Sequence, residues 1–506
     1  MLPWYQNIPF ACIFLCMISG IMMPLFKSGK AAFHLTLCVS LINAILAGVL
    51  LYFTAKESIR FVYVMGHFPA PWGNEIAAGK LEALLALMFS SVMALSLLGG
   101  KSSIHDDILE PKQPLYFLML NLLHASMLAL TYTNDLFTGY VFIEINTLAS
   151  CAIVMARDTA KTIAATIRYL VVSLLGSGLF LIGLVLLYCI TGHLLMPNLQ
   201  EKVLSLVSTG KYMEPLTIVA GLMTAGISVK AALFPFHAWL PFAHGGATTT
   251  SSSVLSGLVL KAYIVLLIKL FFSVFSIELV SALHVNDILF VFGIIGMIYA
   301  SIKAIREEHI KRMLAYSSVA QIGYIFMGLG LGTKVAVIAA IYQIIVHAVT
   351  KPLLFASASR LSEVQGHEKS LYRLRGSART APLAGIAFTL GGLSMIGIPL
   401  LGGFMSKFLL AESAVLLASP RQWAALLSLA LSSVLNALYY IPAIIAIWSP
   451  SDFMLKYQEE GKQKKNITYS VSAFSFMVLV VLTGCASTPV SEIISSGLSL
   501  LGGASL

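Results

Sequence analysis

The sequence predicts an all-α, polytopic membrane protein of about fourteen transmembrane helices, and three observations lead there. Of its 506 residues 58% are hydrophobic and only 11% charged, less than half the charged share of a soluble domain. The mean hydropathy is +0.89. The apolar residues form continuous runs long enough to cross the hydrocarbon as helices, without the period-two alternation of a membrane barrel. A soluble enzyme, a nucleic-acid binder and a disordered scaffold are thereby excluded, and strands are not expected.

Taken in order, spans are expected near 8–25, 31–54, 80–99, 114–132, 135–156, 163–191, 215–240 and 251–274. They continue near 286–303, 313–331, 335–358, 381–418, 423–448 and 468–486, with 381–418 long enough to be one interrupted span. The chain so divides into N-terminal helices over 1–113, a group of five over 114–274, a second five over 286–448, and a loop, last helix and tail over 449–506. Ser487–Leu506 carries Gly, Ser and short apolar patches and receives no assignment. The start, Met-Leu-Pro-Trp-Tyr-Gln, lacks the basic residues of a signal peptide, so the first run is expected to stay as a span.

The net charge of +10 is distributed by loop. One set, near 26–30, 100–113, 157–162, 304–312, 359–380 and 449–467, holds eighteen Lys and Arg; the opposite set holds seven. The positive-inside rule puts the first set in the cytoplasm and both termini on the outer face of a cell membrane. The six cysteines lie in apolar runs without a C-x-x-C pair, so no metal site and no cofactor are expected.

Removing the loop residues leaves ionisable groups deep in apolar runs: Glu144, Lys230, Lys261, Lys351 and Lys407, with His347, His237 and His124 nearby. Each charge near mid-membrane costs about 2.5–3.5 kcal/mol on insertion scales, so such groups face the bundle interior and mark an ion pathway. The bland alternative for Glu144 is a neutral carboxyl bonded to a neighbouring helix. For Lys230 it is snorkelling toward Trp239 and Leu240, taken as an interface. His347 and Lys351, four apart, share a helix face and could pass a proton; the alternative is a packed histidine and a lysine reaching for the cytoplasm. His237 and His124 divide between polar packing and relay. Lys269, near the end of its helix, is expected to snorkel. Pro235 follows Lys230, and Pro399 with Gly402 and Gly403 precedes Lys407. Two Gly/Pro-broken spans, each with a lysine and five spans apart, point to an ion site between inverted repeats.

Four stretches carry a resemblance. They are K-A-A-L-F-P-F-H-A-W-L-P-F-A-H-G-G-A-T-T-T-S-S-S-V-L-S-G from Lys230, H-I-K-R-M-L-A-Y-S-S-V-A-Q-I-G-Y from His309, H-A-V-T-K-P-L-L-F from His347, and G-I-P-L-L-G-G-F-M-S-K ending at Lys407. Over roughly residues 80–450 the chain resembles the antiporter-like subunits shared by respiratory complex I, Mrp-type cation/proton antiporters and membrane-bound hydrogenases. The resemblance implies a fourteen-helix core with two inverted five-helix repeats and broken seventh and twelfth helices. It implies Glu144 and Lys230 as a coupled pair, Lys261 as the central relay, His347 and Lys351 on the relay helix, and Lys407 as the terminal lysine. Lys at 407 favours the Mrp D-type, hydrogenase-type or quinone-proximal type. Phe242 stands where the family carries an acidic residue, which bears on an intake near His244. The implied partners are sister antiporter-like subunits, small membrane subunits, and a hydrogenase or dehydrogenase module, with the lipid bilayer around them.

The expected function is proton translocation, alone or as Na+/H+ antiport, along a buried Glu/Lys/His axis. The chain shows no cofactor loop, metal cluster or nucleophile arrangement, so redox chemistry belongs to partners. Two rivals remain: a stand-alone secondary transporter of a small solute, and a non-conducting scaffold subunit.

Overall fold

The computed structural model describes residues 3–68, 74–417, 419–450 and 466–501. Lys456, Lys462, Lys464 and Lys465, counted above in the basic loops, lie outside the described residues. The continuous apolar runs fold as helices because only closed backbone hydrogen bonding is tolerated in hydrocarbon. In chain order these are α1 (Ile8–Met22), α2 (Gly29–Glu57), α3 (Lys80–Gly99), α4 (Gln113–Tyr132), α5 (Leu136–Met155) and α6 (Ala160–Thr191). A peripheral α7 (Met196–Ser208) precedes α8 (Met213–Lys230) and α9 (Trp239–Gly246). Then follow α10 (Thr249–Phe275), α11 (Val285–Ile305), α12 (Ile310–Gly330), α13 (Lys334–Glu363), α14 (Pro382–Ile396), α15 (Gly402–Leu416), α16 (Arg421–Trp448), α17 (Ile467–Cys485) and α18 (Ser487–Leu501). Among the described residues twelve helices are long and apolar enough to cross a membrane.

Helix starts follow local chemistry. Asp135 Oδ1 accepts from Thr138 N at 2.6 Å, Thr159 and Thr162 form a reciprocal cap, and Thr333 Oγ1 accepts from Ala336 N at 3.2 Å. Each satisfies a donor that the first helical turn leaves unpaired.

The central helices are α10, buried along its whole apolar window, and α12 and α13, buried over 94% of theirs. By contrast α6 and α16 turn much of their apolar surface outward. α10 is not a regular helix: Leu255–Val259 and Phe271–Phe275 are π-helical turns. Pro352 lies inside α13 and packs on Gly257, where a Cβ would stand 2.7 Å from the proline ring.

Hydrogen bonds gather the loops at two ends. At one, the hairpin face, Asn134 Nδ2 donates to Glu75 (3.1 Å), Gln200 Nε2 to the Phe272 carbonyl (2.7 Å), Lys334 Nζ to Ser499 (2.7 Å) and Arg421 to Asp287 (2.5 Å). At the other, the basic face, Arg157 pairs with Asp107 (2.8 Å), Ser102 donates to Glu363 (3.2 Å) and Arg379 to the Trp448 carbonyl (3.0 Å).

Four expectations are corrected. A two-stranded antiparallel hairpin, β1 (Phe61–Val64) with β2 (Glu75–Ala78), stands on the hairpin face; its Phe-Val-Tyr-Val run is short, aromatic and β-branched, suited to a strand. The 215–240 span ends as a helix at Lys230 and resumes at Trp239, and Trp239 and Leu240 are buried, not interfacial. Trp239 stacks on Tyr169, ring centroids 4.1 Å apart. Ser487–Leu501, in the stretch that receives no assignment from the sequence, is the helix α18, whose Ile494, Gly497, Leu498 and Leu501 are buried. Lys269 and Lys311, expected at the surface, are 2% and 4% exposed.

α11 and α12 touch backbone to backbone: a Cβ on Gly323 would lie 2.6 Å from the Gly293 carbonyl oxygen and 2.7 Å from Met297 N. Gly323→Val is expected to force them apart at a cost of about 1–3 kcal/mol, read as a lowered unfolding midpoint in detergent. Gly221→Ala, at a glycine with nothing within 4 Å, is expected to leave the midpoint unchanged.

Candidate functional site

Both interrupted helices break in the same way. After α8, Ala232 takes a φ of 56°; after α14, Gly397 takes 100° and Leu400 72°. Non-glycine residues in the left-handed region are strained, and the strained turns leave helix ends, with their unpaired carbonyls, inside the bundle. A lysine lies at each end. Lys230 is the last residue of α8, while Lys407, projecting from α15, donates to the carbonyls of Met395 (3.1 Å) and Ile396 (2.7 Å) that close α14, and to Ser433 (3.1 Å). A cation is favoured at a helix C-terminus.

Lys230, Lys261, Lys269, Lys311 and Lys351 are buried, and Lys407 is half-buried. Their acceptors are neutral throughout. Lys230 Nζ donates to Thr147 Oγ1 at 2.6 Å and Lys261 to the Ser256 carbonyl in the first π-turn. Lys269 donates to the carbonyls of Thr131 (2.8 Å) and Thr133, and Lys311 to that of Ala247 (3.1 Å). Lys351 donates to the Leu314 carbonyl (2.9 Å) and Tyr440 Oη (3.3 Å). None of the six makes an ion pair among the described residues.

The site residues read from the sequence fall into two bonded runs and a central group. In the first run Glu144 and Thr147 are three apart on α5, and Thr147 accepts from the Lys230 ammonium. One Glu144 oxygen is buried without a protein partner. Thr147 Oγ1 lies 3.3 Å from Tyr263 Oη, and Tyr263 follows Lys261 by two residues on α10. In the second run Lys351 meets Tyr440, whose hydroxyl lies 2.9 Å from Ser317. Tyr439 donates to Ser317 (3.0 Å) and Asn436 Oδ1 (2.7 Å). Asn436 donates to the same Met395 carbonyl that receives Lys407, at 3.3 Å. Lys407 also lies 5.1 Å from the Tyr324 ring centre.

Between the runs His347 is buried with neither ring nitrogen bonded to protein; Lys261, Lys351 and His244 are its charged or titratable neighbours. His244, stacked on Phe355 at 4.7 Å, neighbours Lys351, Lys311 and Lys261. His237 packs between Phe234 and Tyr299 instead. His124 lies 3.0 Å from Ser90 across α3 and α4. No hydrogen bond among the described residues joins either to the lysine row.

On the basic face a cavity of about 100 Å³ lies over Lys311, walled by Ser103, Asp107, Arg157, Glu363 and Lys369. Burial and the Arg157 charge hold Lys369 below the usual lysine range. Burial, with Lys369, Arg312 and Lys311 around it, pulls His309 down to about 4, so it stays neutral and caps Arg312 N at 3.4 Å. In the cavity wall Ser103 accepts from Thr249 N at 3.1 Å, and the Thr249 and Ser359 hydroxyls lie 2.5 Å apart. Phe242, on α9, carries Arg168 over its ring at 4.7 Å.

The sequence does not single out Thr147, Tyr263, Lys311, Ser317, Asn436, Tyr439 or Tyr440. The one available signal is polarity within an apolar run, and Ser, Thr and Tyr are common enough there to carry none.

Interrupted helices meeting buried, neutrally solvated lysines inside a many-helix bundle define a class: polytopic membrane proteins of the antiporter-like kind. The chain belongs to the NADH:quinone oxidoreductase/Mrp antiporter transmembrane family, whose model matches residues 133–435. It is 32% identical over 392 residues to the N subunit of NADH-quinone oxidoreductase from Desulforudis audaxviator, covering 76% of this chain and 74% of that one. It is 26% identical over 490 residues to the D-type Na(+)/H(+) antiporter protein of Alkalihalophilus pseudofirmus, covering 96% and 95%. Two solved structures share the fold. A chain of the archaeal membrane-bound sulfane sulfur reductase matches with TM-score 0.87 at 23% identity, over 98% of both chains. A chain of the Mrp complex from Dietzia sp. matches with TM-score 0.87 at 20% identity, over 100% of this chain and 98% of that one.

Tyr440→Phe takes one of the two partners from the Lys351 ammonium. It is expected to cost about 1.5–3 kcal/mol, the range for a hydrogen bond to a charged group, measured as a lower unfolding midpoint of the solubilised protein. Tyr372→Phe, at an exposed loop tyrosine, is expected to be neutral.

Proposed function

We propose that this chain is a proton-translocating subunit of a multisubunit energy-converting membrane complex of Mrp, membrane-bound hydrogenase or complex I type. Counting α8 with α9 and α14 with α15 as one crossing each, it passes the membrane fourteen times as two inverted five-helix repeats preceded by three helices and followed by one. The basic face lies in the cytoplasm, and both termini lie outside. The exposed apolar sides of α6 and α16 meet lipid or sister subunits, and any redox chemistry is done by a partner module.

The observation that carries this reading is that all six lysines hold neutral acceptors. An ammonium bonded to a carbonyl or hydroxyl can release its proton without stranding a buried carboxylate. The cytoplasmic cavity over Lys311 gives an intake, leading past His244 to Lys261 and His347. With Glu144 ionised, Lys230 keeps its proton; when the partner complex displaces Glu144, that favourable charge is lost and the proton moves through Thr147 and Tyr263 toward Lys261. His347, Lys351 and the Tyr440–Ser317–Tyr439–Asn436 run then conduct it to Lys407. Coupling to Na+ is read in the same experiment by following that ion.

Lys230→Ala and Lys261→Ala are each expected to cut proton pumping in membrane vesicles roughly a hundredfold, the scale of losing one acid–base group, with the complex assembled. Normal pumping by either variant refutes the role. A variant that misassembles while the residual complex pumps normally supports the scaffold reading.

A further inference from the structure

Beside the cavity over Lys311 the basic face carries a larger, open groove of about 730 Å³, between α6, α9, the start of α12 and the loop after α13. Arg157, Lys161, Arg168, Arg312 and Lys369 line it. Arg157 and Arg312 already have acids, Asp107 at 2.8 Å and Glu307 at 3.3 Å. The one acid in the wall, Glu368, is paired with Arg373 at 2.9 Å. Lys161, Arg168 and Lys369 make no ion pair among the described residues, and Nε of Arg312 is buried without an acceptor. Arg157 and Lys161 are among the charged neighbours of Lys369. Like charges gathered in this way repel one another, and an anion among them removes that cost.

The groove is continued into the apolar part of the molecule. On α6 Lys161, Ala164, Ala165 and Arg168 have the spacing of one helix face, and the two alanines leave room between the cations. The same face runs on through Val172, Leu175, Leu179 and Ile182, which line a second groove of about 610 Å³ against Phe236 and Trp239. No charged residue lines that second groove. From Arg168 to Ile182 the stripe extends about 21 Å, more than the ~15 Å of hydrocarbon in one leaflet. Arg168 is exposed, with Ile167, Val171 and Leu175 turned outward around it. An outward cation on an otherwise apolar helix face belongs at the level where headgroups meet acyl chains.

We propose that the two grooves together bind one anionic phospholipid of the surrounding bilayer. Its phosphate lies between Lys161, Arg168 and Lys369, and an acyl chain lies along the apolar stripe of α6. The Arg168 guanidinium takes two phosphate oxygens with its fork, and the Phe242 ring beneath it holds the fork at the joint between headgroup and chain. A zwitterionic headgroup fits less well, because its own ammonium would enter a field that is already positive. An acidic segment of another protein would satisfy the cations but leave the apolar groove empty, whereas a lipid fills both. The site takes no residue from the buried lysine row, so it stands or falls apart from the proton-translocating reading.

The test uses the assembled complex in lipid nanodiscs, probed with phosphatidylglycerol that carries a photoreactive diazirine in one acyl chain. Phosphatidylcholine with the same chain is the control, and labelled peptides are mapped by mass spectrometry. The phosphatidylglycerol probe is expected to label the α6 stripe and residues 235–239, to be displaced by unlabelled phosphatidylglycerol, and to exceed the control there. Lys161→Gln combined with Arg168→Gln is expected to weaken that labelling at low probe concentration roughly thirtyfold, the scale for two basic residues near a membrane surface. Gly178→Phe fills the apolar groove, at a glycine with nothing within 4 Å of an added Cβ, and is expected to abolish the label while the complex assembles. Equal labelling by both probes marks ordinary boundary lipid and overturns the site, as does labelling unchanged in either variant. Absence of label overturns it as well; Lys161 then joined to an acid of a sister subunit by a zero-length amine–carboxyl cross-linker would assign the basic groove to a protein partner. Should the double variant fail to assemble, Gly178→Phe decides alone.

Discussion

The rest of the structure depends on how buried ammonium groups are solvated. Taking a charge out of water costs several kcal/mol even after relaxation, and the bundle offsets this with backbone carbonyls and hydroxyls, not with carboxylates. That choice dictates local geometry. Carbonyls inside a regular helix are already occupied, so the fold opens its helices where an ammonium must be held: at the end of α14 for Lys407 and at the π-turn for Lys261. Interruption, strain and burial are thus three aspects of one requirement.

A second consequence concerns mobility of charge. A lysine tied to a carboxylate is half of a neutral pair, and separating the two leaves both costly. Lysines tied to dipoles stand alone, so each can exist as ammonium or amine with modest rearrangement of its neighbours. In the proposed mechanism Glu144 is the exception that gives control: Lys230 bonds Thr147 and makes no ion pair with Glu144 among the described residues. A displacement of α5 relative to α8 would alter that influence without breaking an ion pair.

How much could be read in advance follows from the physics of each signal. The helices are legible because hydrocarbon demands continuous apolar runs, and Lys230, Lys261, Lys351 and Lys407 because a charge in such a run stands out by its cost. The broken helices are legible from Pro235, Pro399 and the glycines around them. The burial of Lys269 is not, because it is decided by Leu501 and by Thr131–Thr133, far away in the chain. Nor is that of Lys311, because a loop-edge lysine and a cavity-floor lysine have the same sequence context. Tyr439, Tyr440 and Asn436 are ordinary residues of a partly exposed helix until α12 and α14 are packed against them. The α18 helix carries its apolar residues too sparsely for a span, and its register emerges only against α3 and α13.

The π-turn at Leu255–Val259 sets the direction in which the rest of α10 points. Such a turn houses one residue more than an α-turn does, so every side chain after it is swung about 100° from its regular azimuth. Deleting a single residue there would leave composition, hydropathy and charge essentially as they are, yet would rotate Lys261, Tyr263 and Lys269 together onto a neighbouring flank of α10. Two related chains differing by that one insertion could therefore align almost perfectly and still aim their amines at different helices.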